Sequence, residues 1–195
     1  ETLPLVDFIY DGEDFNPARY IETLQKINEK ESLKRDFYGR GGAVTMLENK
    51  MAAITGKEKA IYMPTGTMAN QLAIAALSGE KTKVFVQDNS HVYRDEADAA
   101  QSVFGKRLMP LAMGQTYFTA EELKNAIEGL PEKEVFASGL GAVSIENPVR
   151  RTEGRMVPLT EIRQINEYCK SKGIPMHLDG ARIFMTAAWS GVSVK

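Results

Sequence analysis

The chemistry-bearing residues of this chain are a carboxylate that ends an apolar run, a hydroxyl-rich glycine turn and a loop histidine. Met176-His177-Leu178-Asp179-Gly180-Ala181-Arg182 reads as a buried strand that stops on Asp179, with Arg182 adding a fixed positive charge soon after. A carboxylate in such a place is costly unless it meets a partner, and strand ends of this kind are where open α/β sheets bind ligands. Asp179 and Arg182 serve either as a structural ion pair at a loop or as a carboxylate held against a cationic heterocycle, with Arg182 aimed at an anion. Met63-Pro64-Thr65-Gly66-Thr67-Met68-Ala69-Asn70 sets a turn ahead of a helix start. Outward N–H groups and the helix dipole make Thr65, Gly66 and Thr67 a natural cradle for one phosphate. Thr67 as a plain helix cap is the alternative. Neither GxxxxGK[ST] nor GxGxxG follows a strand, so a polyphosphate site is not indicated. In Asp88-Asn89-Ser90-His91-Val92-Tyr93, His91 can stack over a flat ring, move a proton or cap a helix. His177 shares a strand face with Asp179 and reads as a supporting core residue.

The elements that must position these residues alternate. Apolar spacing predicts a helix over 17–30, capped by Asn16, and another over 44–55 that ends at Gly56. A strand over 59–63 leads to the Thr65 turn, and an Ala-rich helix follows over 68–77. Further strands are predicted over 83–87, 107–111, 142–146 and 174–178, with helices around 95–103, over 120–128 and over 159–172. Thr119 and Glu122 form a capping box. Strands alternating with helices imply a mostly parallel α/β sheet covered on both faces. In such a sheet the turn, the histidine and the carboxylate share the edge where strands end. A phosphate cradle, a ring-stacking histidine and a carboxylate for a ring nitrogen describe a phosphorylated aromatic heterocycle. Pyridoxal 5'-phosphate is the economical candidate, because its ring acts as an electron sink only while the nitrogen keeps its proton.

Bulk properties narrow the setting. At 195 residues, with 43% hydrophobic and 26% charged content, the chain suits one good core. A net charge of −2 offers no reason to invoke nucleic acid or anionic membrane. The lone Cys169 fits a reducing compartment. No window approaches the roughly 18 apolar residues of a membrane span, and the first residues lack a signal-peptide layout. A cytoplasmic location is expected. Two His and one Cys give no metal-ligand cluster. The first Glu and the stop soon after Gly191 suggest a portion of a longer protein, with residues 1–35 as an arm and 36–195 as an incomplete large domain.

Four ordered motifs carry a resemblance that spans residues 36 to 192. Pro64-Thr65-Gly66-Thr67-Met68-Ala69-Asn70-Gln71, Asn89-Ser90-His91-Val92-Tyr93, Glu146-Asn147 with Gly154-Arg155 and Pro158-Leu159, and His177-Leu178-Asp179-Gly180-Ala181-Arg182 resemble the threonine aldolases. These belong to the β-eliminating lyase group of fold-type-I pyridoxal-phosphate enzymes. The resemblance implies the aspartate-aminotransferase-like large domain, with Thr65, Gly66 and Thr67 on the cofactor phosphate and His91 stacked on the pyridine ring. It further implies Asp179 at the ring nitrogen, Arg182 on the substrate carboxylate or the phenolic oxygen, and Glu146-Asn147 facing the cofactor. Tyr38-Gly39 matches a family pair near the active-site mouth. The implied reaction cleaves a β-hydroxy amino acid such as L-threonine or L-allo-threonine to glycine and an aldehyde, in a homodimer or homotetramer. Two departures stand out. Asp7 to Asp14 replaces the family's Arg-Ser-Asp-Thr-Val-Thr-like segment, which opens β-elimination or transamination as alternatives. The family's Schiff-base lysine is expected beyond Lys195, so a non-catalytic fragment is a further alternative.

Overall fold

The computed structural model describes residues 16–31 and 33–195. The altered segment Asp7 to Asp14 lies outside them. Chain contacts divide the described residues into two units, one running to Pro64 and including Ala187–Lys195, the other Thr65–Thr186.

The first unit holds helices α1 (Pro17–Glu31) and α2 (Gly42–Thr55). Asn16 caps α1 as its sequence position predicts, its Oδ1 accepting from the Arg19 N–H at 2.9 Å. Gly42 begins α2 at φ +56°, where a Cβ would fall 2.5 Å from the Lys34 carbonyl, so only glycine fits. The strand predicted over 59–63 does not form. Ile61 is 74% exposed, and the Tyr62 N–H is taken by Glu48 Oε1 at 2.8 Å rather than by a neighbouring strand. β-propensity without a partner ladder leaves an extended segment and no more.

The second unit is built on a four-stranded, fully parallel sheet in the order β2-β1-β3-β4. Its strands are β1 (Lys83–Gln87), β2 (Arg107–Leu111), β3 (Leu140–Glu146) and β4 (Met176–Asp179). The α/β class expected from the alternation is therefore the observed one. Side chains alternate across the sheet. Val84, Val86 and Ala142 pack with Ile74 of α3 (Gly66–Ser78) and Val92, while Phe85, Val143 and Ile145 pack on the other face. There they meet Leu123 of α6 (Ala120–Glu128) and Ile165 and Cys169 of α7 (Leu159–Ser171). The Thr119–Glu122 capping box starts α6 as predicted.

The helix expected around 95–103 is two short ones, α4 (His91–Arg94) and α5 (Ala99–Phe104). Ala97 and Asp98 between them take φ of 49° and 54°, a left-handed break that no helix tolerates. Helix α8 (Ile183–Ser190) follows β4.

Candidate active site

Strand order decides where a ligand fits. From β1 the chain moves outward to β2, and from β3 it moves the opposite way to β4, so β1 and β3 flank the point where the order reverses. In open α/β sheets the loops leaving such a pair of strands diverge, and ligands bind at that carboxyl edge. The β1–β3 ladder ends at Phe85↔Val143. Past it, the Gln87 side chain spans the gap, its Nε2 donating to the Glu146 carbonyl at 3.1 Å and its Oε1 accepting the Glu146 N–H at 2.6 Å.

Four of the sequence-predicted positions gather on this rim. The β1 loop carries His91, whose backbone N–H donates to Glu146 Oε2 at 2.6 Å. Glu146 Oε1 accepts the Arg150 N–H at 2.9 Å. Burial pushes the Glu146 carboxyl above the usual carboxylate range, against the two backbone hydrogen bonds that favour its charge. Asp179 ends β4 and is only 6% exposed. Its Oδ1 accepts the Ala181 N–H at 3.2 Å, and its Oδ2 accepts from Asn70 Nδ2 at 3.1 Å. Arg182, half-buried, lies in the turn that follows. The Asn70 contact brings the first turn of α3 onto the same rim.

That turn is not reached from a strand, which corrects one expectation. The cap of α3 is Thr65, not Thr67: its Oγ1 accepts the Met68 N–H at 3.1 Å. Among the described residues, no hydrogen bond uses the N–H of Gly66 or Thr67. A Cβ on Gly66 would meet nothing within 4 Å, so the space beside its Cα is open. Free N–H groups at a helix start are suited to an anion.

Two further carboxylates surround His91. Its Nδ1 lies 3.5 Å from Asp95 Oδ2 and its Nε2 3.6 Å from Glu96 Oε1. Hydrogen bonds from Arg151 and then Arg150 hold the Asp95 carboxyl down at about 2. Burial pushes the Glu96 carboxyl up, opposed by the Asn70 and Gln71 amides that donate to it. Neither residue carries a motif signal, since an Arg-Asp-Glu run looks like a solvated face. His177 is buried and its Nδ1 lies 2.9 Å from Ser144 Oγ, with burial lowering its proton affinity. That is the supporting place its alternation with Asp179 predicts.

The donor set suits the phosphorylated heterocycle. A buried carboxylate, with one N–H donor on each oxygen, can hold a ring N–H, and free helix N–H groups can take the phosphate. No helix among the described residues is long and apolar enough to cross a membrane.

Known proteins resemble this chain in sequence and in fold. A low-specificity L-threonine aldolase of Candida albicans is 30% identical over 151 residues, 76% of this chain and 40% of that protein. An alanine racemase of Cochliobolus carbonum is 30% identical over 168 residues, 85% of this chain and 42% of that protein. A crystal structure from Listeria monocytogenes EGD-E, provisionally named an L-allo-threonine aldolase, has a TM-score of 0.80 at 29% identity. It covers 94% of this chain, which covers 48% of it. The chain thus spans less than half the length of each of these proteins. The model for the beta-eliminating lyases matches residues 27–195, a stretch that takes in every strand of the sheet, and the chain belongs to that family.

Proposed function

We propose that this chain forms the cofactor-holding part of a pyridoxal-phosphate lyase that cleaves a β-hydroxy amino acid, such as L-threonine or L-allo-threonine, to glycine and an aldehyde. The observation that carries the reading is the buried Asp179 carboxylate at the end of β4, tied through Asn70 to the N-terminus of α3. When bound, pyridoxal phosphate supplies a ring that accepts the electron pair released as the Cα–Cβ bond breaks. Asp179 keeps the proton on the ring nitrogen, and the Gly66 and Thr67 N–H groups with the Thr65 and Thr67 hydroxyls receive the phosphate. The His91 imidazole takes the proton of the substrate β-hydroxyl, and the Asp95 carboxylate lies 3.5 Å from its Nδ1. Arg182 holds the substrate carboxylate. Glu146 fixes the backbone at His91 and Arg150, so that the loops after β1 and β3 stay in register with each other.

The test is product analysis on the full-length protein with L-threonine and L-allo-threonine. Release of glycine and acetaldehyde is expected, and Asp179→Ala lowers turnover by at least about 100-fold. No glycine from either substrate, or an undiminished Asp179→Ala variant, overturns the reading. A second reading keeps the cofactor and changes the reaction, and the likeness to the alanine racemase favours it. Interconversion of L- and D-alanine without cleavage of threonine would decide for that alternative.

A further inference from the structure

Glu96 lies at the centre of the rim. It sits between α4 and α5 with its side chain 0% exposed. Oε1 accepts from Asn70 Nδ2 at 2.9 Å, and Oε2 accepts from the Gln71 amide. Two successive residues of α3 therefore spend side-chain donors on one carboxylate. The second N–H of Asn70 goes to Asp179 Oδ2 at 3.1 Å. An amide nitrogen carries two hydrogens in fixed directions, so Asn70 is a pivot between two buried carboxylates. This orientation gives each of the two carboxylates a donor.

We propose that Glu96 is a positioning residue for Asp179: by holding one N–H of Asn70 it aims the other, and so sets the rotation of the Asp179 carboxylate at the end of β4. The inference rests on the reading of Asp179 as the partner of a ring nitrogen. Without Glu96, the Asn70 amide keeps a single carboxylate acceptor and can turn about its own side-chain bonds. Asp179 then loses the donor that fixes Oδ2 and holds a ring N–H less well.

The test compares two ligands on the full-length protein freed of cofactor: pyridoxal 5'-phosphate and its 1-deaza analogue, in which the ring nitrogen is a C–H. Both carry the same aldehyde and phosphate, so every other contact cancels in the ratio of their dissociation constants. Wild type should prefer the nitrogen-containing ring by about tenfold or more, the scale of a charge-assisted hydrogen bond. Glu96→Gln should shrink that preference to about threefold or less while the deaza affinity stays within about twofold. Asn70→Ser should do the same, and the double variant should lose nothing further, because both act through one bridge. Equal weakening of both ligands marks a purely structural role and overturns the inference, as does an unchanged ratio. Glu96→Asp, which draws the carboxylate back by one methylene, is read against the same outcomes if the glutamine variant does not fold by circular dichroism. A wild type that binds both ligands equally well overturns the role of Asp179, and the inference with it. A discriminating wild type beside an equally discriminating variant overturns the inference alone.

Discussion

Asp95 and Glu96 are neighbours in the chain with opposite acid–base behaviour, and their surroundings make the difference. Asp95 faces two guanidinium groups, which hold its carboxyl at about 2 against an ordinary 3.8. A carboxyl depressed by folding contributes stability that is present above pH 3.8 and lost as the pH falls towards 2. Glu96 and Glu146 are raised above an ordinary 4.5 by burial, so their contribution is full below 4.5 and lost as the pH rises through their folded values. Asp95→Asn should therefore lower the melting temperature at neutral pH and flatten its fall between pH 3.8 and 2, so that the two proteins converge at the acid end. Parallel melting curves for variant and wild type would show that the Arg150 and Arg151 contacts do not hold in solution. At this scale the legibility of the sequence was uneven. Asp179 and His91 stand out because strand patterns lead up to them. Glu96 does not, because its burial depends on Asn70 and Gln71, residues brought to it only by the packing of α3.

Elements were legible where their determinants are local. The capping box of α6 needs four adjacent residues, and those four are enough to name it. β1 reads correctly because all five of its residues are buried and apolar ones fill its centre. The segment 59–63 has similar composition and no ladder to join, and one short sequence cannot show that difference. The break at Ala97 and Asp98 was equally hidden, since neither residue is a customary helix breaker. Gly141 shows how closely the elements meet. A Cβ there would fall 2.6 Å from the Ser78 Cβ and 2.8 Å from its Cα, at the end of α3. Gly141→Ala should cost about 1–3 kcal/mol in denaturant unfolding, through the overpacking it forces between β3 and α3. A neutral result would mean that the end of α3 can move away freely.

For the molecule as a whole, the Thr65–Thr186 unit buries apolar side chains on both faces of the sheet and polar ones at both of its ends. The polar ones are Lys83 and Lys106 where β1 and β2 begin and a larger group at the carboxyl edge. The apolar core fills the two faces of the sheet, from Val84 and Ile74 on one side to Phe118 and Ile165 on the other. Gln87, Glu146, Asn147, Asp179, Asn70 and Glu96 are also buried, and they collect at the carboxyl edge. Leu123 is 0% exposed in the larger cluster, so Leu123→Ala should destabilise by about 2–5 kcal/mol. Urea unfolding with an unchanged slope would confirm that stability alone was altered; a loss below about 0.5 kcal/mol would contradict the packing described. Scaffold and site can therefore be perturbed separately. The Gln87 amide has a consequence of this kind. Where the β1–β3 ladder gives out, its two hydrogen bonds hold the strands at a set spacing. The carboxyl edge is preorganised there as a result: the separation of β1 and β3 is settled when the sheet folds, and a ligand bound at that edge would have no strands to prise apart.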